Sequence, residues 1–135
     1  MGLSVLLADD HAVLRKGLRL LLEEEGDLTV VGEAGDGREA IELFRKLAPD
    51  VVVMDITMKG LSGIEATRHI VSESPGARVL ALSIHSGRRF VEQMLDAGAA
   101  GYILKDSVPE ELVEGIRAVT RGEVYLSAAL ASEAG

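Results

Sequence analysis

The sequence predicts an α/β fold in which helices cover both faces of a parallel sheet. Five short and nearly continuous apolar runs alternate with five longer segments whose apolar residues recur at helical spacing. Such runs are typical of strands buried on both faces, and strict alternation favours βαβ units. At 135 residues, with 47% hydrophobic and 27% charged residues, the chain has the size and balance of one folded domain.

The elements follow one another in a simple order. The predicted strands are Leu3–Ala8, Leu28–Val31, Val51–Met54, Val79–Leu82 and Gly101–Leu104. The predicted helices carry apolar stripes at Leu14, Leu18, Leu21 and Leu22, at Ala40, Ile41, Phe44 and Leu47, at Ile64, Ile70 and Val71, at Val91, Met94 and Leu95, and at Leu112, Ile116 and Val119. Breaking residues separate the elements at Gly35–Gly37, Pro49–Asp50 and Pro75–Gly76, and Pro109 is expected near the first turn of the fifth helix.

Composition excludes several classes of function. The chain has no cysteine, which excludes disulfides, thiolate catalysis and zinc–thiolate sites. Its formal net charge of -8 disfavours contact with the phosphate backbone of DNA or RNA by this segment alone. The longest apolar runs fall well short of the roughly 20 residues that span a bilayer, and no signal peptide is recognised, so we expect a cytoplasmic protein without membrane contact.

Polar residues of particular types stand at the predicted strand ends. Asp9 and Asp10 follow the first strand, Asp55 the third and Lys105 the fifth, and Ser83 lies near the end of the fourth. Ligands of open α/β sheets bind beyond the carboxyl ends of the strands, near the point where strand order reverses. We therefore expect these five side chains to meet at one edge of the sheet.

Three carboxylates at one edge need a proton or a cation. Two carboxylates about 5 Å apart repel by about 3 kcal/mol at an effective dielectric constant near 20. Oxygen ligands that leave water positions open suit Mg²⁺, so we hypothesise that Asp10 and Asp55 bind Mg²⁺ directly and that Asp9 acts partly through water. A carboxylate can also attack phosphorus, and Asp55 is the candidate nucleophile because its strand is central, with Lys105 and Ser83 available to the phosphoryl group.

Each of these residues also has a purely structural interpretation. Asp10 suits the cap of a helix that begins near His11, and Asp55 suits a turn. Ser83 suits a satisfied strand-end hydroxyl, and Lys105 an exposed cation. Taken singly, each structural interpretation is the more common one, but the coincidence of suitable residues at four strand ends favours a phosphate-handling site.

Longer motifs give a resemblance that covers nearly the whole chain. The stretches that carry it are Leu7–His11 with Leu14-Arg15 and Gly17-Leu18, Asp55–Met58, Gly60–Gly63, and Gly98 with Gly101–Asp106. In these motifs the chain resembles the response-regulator receiver domains of bacterial two-component systems, in their NarL/FixJ (LuxR-type) subgroup. The resemblance implies a flavodoxin-like (βα)5 doubly wound sandwich, with a five-stranded parallel sheet of order 2-1-3-4-5.

The resemblance also implies which residues accept the phosphoryl group and hold the metal. Asp55 would be the phosphoacceptor. The Mg²⁺ ion would be held by Asp9, Asp10, Asp55 and the backbone carbonyl of Thr57. The donor would be a phosphohistidine on a sensor histidine kinase, and the domain would catalyse only its own phosphorylation and slow dephosphorylation.

Three further residues would carry the switch in such a domain. Lys105 would pair with the phosphoryl group, Ser83 would move to hydrogen-bond it, and Tyr102 would change rotamer in concert. A plain aromatic core residue is the alternative interpretation of Tyr102. Phosphorylation adds charge and acceptor oxygens, which can shift the fourth and fifth βα segments between two packings of similar free energy.

Two positions depart from the pattern of this family. Lys59 stands where the family commonly has proline, four residues after the phosphoacceptor, so we expect a more mobile loop with a second cation near the pocket. Asp106 follows Lys105 where many receivers have proline, often cis. Without proline a cis bond costs about 3 kcal/mol, so we expect the Lys105–Asp106 bond to be trans.

The resemblance assigns residues 1–121 to the receiver domain. Residues 122–135 have no clear partner in the predicted fold and are interpreted as the start of a linker towards a helix-turn-helix DNA-binding domain that is absent from this chain. Transcription would then be controlled through that absent domain, which alone would contact DNA. We expect a sensor histidine kinase as partner, and a homodimer on phosphorylation.

Other classes of protein are disfavoured. The alternative is an Mg²⁺-dependent aspartate-nucleophile phosphatase, whose Asp-x-Asp motif is lacking because Thr57 stands two residues after Asp55. A flavodoxin or nucleotide-binding module needs a glycine-rich phosphate loop after the first strand, where this chain has two carboxylates. The separations of His11, His69 and His85 match no metal-ligand spacing. A pseudo-receiver would be expected to lose pocket residues that are all present here.

Overall fold

The computed structural model describes residues 2–130, which form alternating strands and helices. The strands are β1 Leu3–Ala8, β2 Leu28–Ala34, β3 Val51–Asp55, β4 Val79–Ser83, β5 Gly101–Leu104 and β6 Tyr125–Leu126. The helices are α1 Ala12–Glu23, α2 Gly37–Leu47, α3 Gly63–Glu73, α4 Arg88–Asp96 and α5 Leu112–Thr120. A single 3-10 turn, Lys105–Ser107, follows β5 directly. The predicted α/β alternation is confirmed.

All strand pairs are parallel, in the order β2-β1-β3-β4-β5-β6. The first five strands have the predicted order, and β3 is central, with β1 on one side and β4 on the other. The sixth strand was not predicted. It is two residues long, too short to show periodicity, and Tyr125 and Leu126 pair with Gly101 and Tyr102.

The C-terminal part of the described chain packs onto the edge of the sheet. Ser127 is fully buried; its N–H donates to the Tyr102 carbonyl (3.0 Å) and its Oγ accepts from the Leu104 N–H (2.9 Å). Leu130 joins the hydrophobic core. Residues 122–130 therefore have partners that sequence patterns did not reveal, whereas residues 131–135 lie outside the described residues. The domain boundary after residue 121 stays a prediction.

One predicted strand boundary is wrong. Strand β2 continues beyond Val31 to Ala34, and Glu33 in this extension forms ion pairs with Arg15 and Arg19 of α1. Pro109 lies three residues before α5, after the 3-10 turn, and is thus near the start of the helix as expected. Within residues 2–130 the cis peptide bond is Val108–Pro109, and Lys105–Asp106 is trans as expected.

The core consists of two apolar layers, one on each face of the sheet. Helices α2, α3 and α4 cover one face, and α1 and α5 cover the other. Residues of β3 alternate between the layers: Val52 and Met54 face the first, and Val51 and Val53 the second. All residues of β3 are buried, including its last residue, Asp55. Among residues 2–130, none of the helices combines the length and apolar character that a bilayer crossing needs.

Gly63, the first residue of α3, packs directly against the backbone at the end of β3. Its N–H donates to the Ile56 carbonyl at 2.8 Å, and a Cβ added at this position would lie 2.0 Å from the Asp55 carbonyl oxygen. No L side chain fits at that distance without a shift of either α3 or the strand end. The position of Asp55 thus depends on a residue eight positions further along the chain.

We predict that Gly63→Ala lowers the free energy of unfolding by about 2 kcal/mol or more, because the added methyl group overpacks the junction of β3 and α3. Gly17→Ala is the matched control. Gly17 lies inside α1 with nothing within 4 Å of an added Cβ, so alanine there is expected to stabilise by about 0.5–1 kcal/mol. Urea unfolding measures both, and equal stability of the two variants would contradict this account.

Candidate acidic metal site

Strand register brings the predicted residues to one edge of the sheet. Ala8 of β1 pairs with Met54 of β3, and Asp9 and Asp55 are the residues that follow them. The two aspartates therefore lie side by side at the carboxyl ends of the two strands. Asp55 pairs with Leu82, and Ser83 pairs with Leu104. Lys105 follows Leu104 directly. The prediction that these strand ends converge is therefore supported by the geometry of the sheet.

Acidic side chains and one ammonium lie in contact at this edge. Asp9, Asp10, His11 and Asp55 each offer a ligand atom, and these four atoms lie within 4.8 Å of one another. The Lys105 Nζ lies 3.0 Å from Asp9 Oδ2 and 3.5 Å from Asp55 Oδ2. Asp9 and Asp55 are 3% and 1% exposed, so their charges are removed from bulk water. We call these four residues with Lys105 the acidic pocket.

Three oxygens of the acidic pocket lack a hydrogen bond. Within residues 2–130, Asp9 Oδ2, Asp10 Oδ1 and Asp55 Oδ2 are buried without a hydrogen-bond partner, although the Lys105 ammonium lies close to two of them. Buried polar atoms are rarely left in this state. Carboxylate oxygens that converge in this way are the ligands that hard divalent cations use, so the donor set fits a metal ion.

The pocket raises the proton affinity of Asp55. Burial, and then the neighbouring charge of Asp9, raise the pKa of the Asp55 carboxyl from 3.8 to about 6. The Lys105 ammonium and the Thr57 N–H, which donates to Asp55 Oδ1 at 3.3 Å, oppose this rise in pKa. Asp55 is therefore mostly ionised at neutral pH, at a cost in folding free energy.

The start of α1 excludes one structural interpretation. The helix begins at Ala12, and its cap residue is His11, which makes no side-chain cap hydrogen bond. Asp10 therefore does not cap the helix. The Asp9 Oδ1 accepts from the His11 N–H at 2.8 Å, and the His11 Nδ1 lies 3.1 Å from both Asp9 Oδ1 and Asp10 Oδ1. Sequence reasoning missed His11 as part of this cluster, although it is adjacent to the acidic pair.

A second missed residue, Arg15, holds the backbone at the acidic pair. Its Nη1 donates to the Asp9 carbonyl at 2.5 Å, and its Nε donates to Glu33 Oε1 at 3.2 Å. Arg19 Nη1 holds the other carboxylate oxygen of Glu33 at 2.6 Å. The guanidinium groups of Arg19 and Arg15 keep the pKa of Glu33 below its ordinary value, despite partial burial. This ion network ties α1 and β2 to the turn that carries Asp9 and Asp10.

Ser83 and Tyr102 are linked through the loop after β4. The Ser83 Oγ accepts from the His85 N–H at 3.0 Å, and the Tyr102 hydroxyl donates to the His85 carbonyl at 2.7 Å. The His85 ring stacks on Phe90 of α4, with ring centres 4.2 Å apart. Both Ser83 and Tyr102 are fully buried, and burial raises the pKa of the Tyr102 phenol.

The remaining predicted residues lie on the rim. Thr57 and Lys59 are exposed, in the segment between β3 and α3 where Gly60 has a φ of 72°. The backbone of Thr57 is close to Asp55 through its N–H. His69 is exposed on α3 and is not part of the acidic pocket. The mobility of the Lys59 loop stays a prediction.

Comparison with known families decides the class of this pocket. A family model described as the response regulator receiver domain matches residues 5–117. The chain belongs to this family. Switching by aspartate phosphorylation is the general function of the receiver domain, and receiver domains are signalling modules.

Individual relatives agree with the family match. The chain is 41% identical over 131 residues to an uncharacterised transcriptional regulatory protein of Bacillus subtilis, YxjL, and 39% identical over 131 residues to the response regulator UvrY of Escherichia coli. Each alignment covers 97% of this chain and 60% of the relative, so the receiver spans about 60% of the length of these relatives.

A solved structure places the receiver in its subgroup. The crystal structure of a two-component response regulator of the LuxR family from Aurantimonas sp. SI85-9A1 superposes with a TM-score of 0.95 at 43% identity, covering 98% of this chain and 95% of that one. The predicted NarL/FixJ (LuxR-type) subgroup is confirmed.

We predict that Asp55→Asn stabilises the metal-free receiver at pH 8 by about 2–3 kcal/mol, because the substitution removes a carboxylate whose ionisation the fold disfavours. Because the pKa of Asp55 is higher in the folded state, its protonation contributes to the free energy of folding. This contribution is fully present below pH 4 and is lost as the pH rises through about 6. The advantage of the variant should therefore shrink below pH 6 and vanish near pH 4.

Urea unfolding in a chelating buffer between pH 4 and pH 8 measures this difference in unfolding free energy. Asp96→Asn is the control, since Asp96 is an exposed carboxylate on α4, and its effect should stay within about 0.5 kcal/mol. If the difference in unfolding free energy between wild type and Asp55→Asn did not change with pH, the fold would not disfavour ionisation of Asp55, and the account would be contradicted.

Proposed function

We propose that the receiver takes a phosphoryl group on Asp55 from the phosphohistidine of a sensor histidine kinase. The observation that supports this proposal most strongly is the burial of the Asp55 carboxylate with an oxygen that has no hydrogen bond. Asp55 ends the central strand, is 1% exposed, and presents a buried oxygen without a hydrogen bond beside Asp9 and the Lys105 ammonium. A purely structural aspartate at this position would be expected to have a donor for that oxygen.

The transfer is a substitution at phosphorus. An ionised oxygen of Asp55 attacks, an O–P bond forms, and the P–N bond to the donor imidazole breaks with its electron pair on nitrogen. A pKa of about 6 leaves Asp55 ionised at neutral pH and therefore ready as a nucleophile. The Lys105 ammonium is 3.5 Å from Asp55 Oδ2. It can therefore stabilise the negative charge first on the carboxylate and then on the phosphoryl oxygens.

Mg²⁺ is the proposed cofactor of this reaction. Asp10 and Asp55 would bind it directly, Asp9 partly through water, and the Thr57 backbone carbonyl would add a neutral oxygen. The three buried oxygens without hydrogen bonds support this assignment. When bound, such an ion neutralises charge on the phosphoryl oxygens. Lys105 alone offers a single positive charge against three carboxylates.

The proposed switch passes through the loop after β4. The Ser83 hydroxyl uses its oxygen to accept from His85 and keeps its own hydrogen for a phosphoryl oxygen. Movement of Ser83 would disturb His85, whose carbonyl holds Tyr102 and whose ring stacks on Phe90. Ser83, Tyr102 and the start of α4 are thus connected by direct contacts, as a two-state element requires.

The longer protein is proposed to be a transcription regulator in the cytoplasm. The curated relatives are longer than this chain, which agrees with a DNA-binding domain beyond residues 122–135. DNA would be contacted through that domain alone, and phosphorylation would favour a homodimer. The phosphatase alternative is not supported, because an exposed Thr57 stands where that mechanism needs a second carboxyl group. Beyond its own phosphorylation and dephosphorylation we propose no enzymatic activity.

We predict that a small acyl phosphate with Mg²⁺ adds the mass of one phosphoryl group to the wild-type receiver and none to Asp55→Asn. Asp50→Asn is the matched control, since Asp50 precedes the same strand at its opposite end, where it accepts from Ser4. Intact mass spectrometry at short times reads the adduct. An adduct that persists in Asp55→Asn, or its absence from wild type in saturating Mg²⁺, would overturn the proposal.

A further inference from the structure

His11 is the member of the acidic pocket to which the proposed reaction assigns no role. Its ring is 68% exposed and lies at the solvent side of the pocket, whereas Asp9 and Asp55 form the buried side. We propose that His11 is a fourth metal ligand, and that its imidazole makes the pocket bind nitrogen-preferring divalent ions, such as Co²⁺ and Zn²⁺, more tightly than carboxylates alone would. The inference rests on the metal site of the proposed function.

The spacing of the donor atoms supports a shared ion. The His11 Nδ1 lies 3.1 Å from Asp9 Oδ1 and 3.1 Å from Asp10 Oδ1. Adjacent ligands of an octahedral ion with bonds of about 2.1 Å are separated by about 3 Å. All four candidate ligand atoms, including one from Asp55, lie within 4.8 Å of one another, somewhat more than the about 4.2 Å between opposite ligands on such an ion, so binding requires a small contraction of the pocket.

A second observation points to a ligand independently of His11. The Asp9 and Asp55 side chains are more than nine-tenths buried, and each has one oxygen without a hydrogen bond. Both of these oxygens lie near the single ammonium of Lys105, at 3.0 Å and 3.5 Å, and buried polar atoms normally have a hydrogen-bond partner. Together with the nitrogen of His11, they form a mixed nitrogen and oxygen donor set.

The backbone fixes the side chain close to this position. The His11 N–H donates to Asp9 Oδ1 at 2.8 Å, which holds the residue against the carboxylate. His11 caps α1 in an extended conformation, with φ -96° and ψ 99°, and its side chain makes no bond to the helix. The imidazole therefore contacts the carboxylates of the pocket, with Nδ1 3.1 Å from Asp9 Oδ1, and does not bond to the helix terminus.

The donor set predicts a difference between ions. Mg²⁺ prefers oxygen ligands, whereas imidazole suits Zn²⁺ and other late first-row ions, whose affinity for nitrogen-containing sites follows the Irving–Williams order. Loss of His11 should therefore weaken Co²⁺ binding while Mg²⁺ binding is kept. A simple ion pair between His11 and the carboxylates predicts the opposite sign, because a removed competitor strengthens the binding of every cation.

The experiment compares wild type with His11→Gln by titration calorimetry with Mg²⁺ and with Co²⁺, and records the d–d absorption of bound Co²⁺. We expect the Co²⁺ dissociation constant to rise about tenfold or more, the absorption band to change, and the Mg²⁺ constant to stay within about twofold. His69→Gln is the matched control for surface histidines, since His69 is exposed on α3, and should change neither constant. His11→Asn is the second variant, for the case that the glutamine variant fails to fold.

The inference would be overturned if the affinity for Co²⁺ were unchanged or increased in the His11 variants, or if His69→Gln lowered it equally. In either case, Mg²⁺ binding by wild type would leave the proposed function intact. Asp10→Asn separates the two hypotheses further. It should weaken both Mg²⁺ and Co²⁺. If wild type binds neither ion, or if Asp10→Asn binds Mg²⁺ as wild type does, the metal site itself is wrong, and the role of His11 falls with it.

Discussion

Repulsion among Asp9, Asp10 and Asp55 is the constraint on which the rest of this receiver depends. The parallel register of β1 and β3 forces two of these carboxylates to the same level of one sheet edge, and both are almost fully buried. One ammonium, that of Lys105, stands against three negative charges. Such a cluster stores electrostatic free energy that a proton or a cation can release. Burial first, and then the charge of Asp9, raise the pKa of the Asp55 carboxyl, so the fold disfavours its ionised form.

The fold keeps this cluster in place by packing and by ion pairs. Asp55 belongs to a fully buried central strand, and the close approach of Gly63 fixes the point where α3 leaves it. On the other side, Arg15 joins the Asp9 carbonyl to Glu33 of β2. The groups proposed to respond, Ser83 and Tyr102, are instead tied to one loop residue, His85. In the proposed switch, a buried acceptor would act on this loop through those contacts.

Sequence patterns predicted the fold and most of the pocket because both depend on local signals. Strands buried on both faces appear as apolar runs, and the residue after such a run is at the sheet edge in any parallel sheet. Arg15, His11 and β6 were missed because their roles arise from contacts that no spacing encodes. Arg15 acts through a backbone carbonyl, His11 through side chains beside it, and Tyr125 through pairing with Gly101. The C-terminal end of β2 was predicted too early for a similar reason, since Glu33 in the extension is paired with arginines of α1.

The most direct test of the account is the dependence of the receiver's unfolding free energy on Mg²⁺ at pH 8, with ionic strength held constant by a monovalent salt. A cation that binds only the folded pocket must stabilise it, by an amount that grows with the logarithm of its concentration above the dissociation constant. The account predicts that growth for wild type and its loss in Asp10→Asn. A wild-type unfolding free energy that does not change with Mg²⁺ would contradict it.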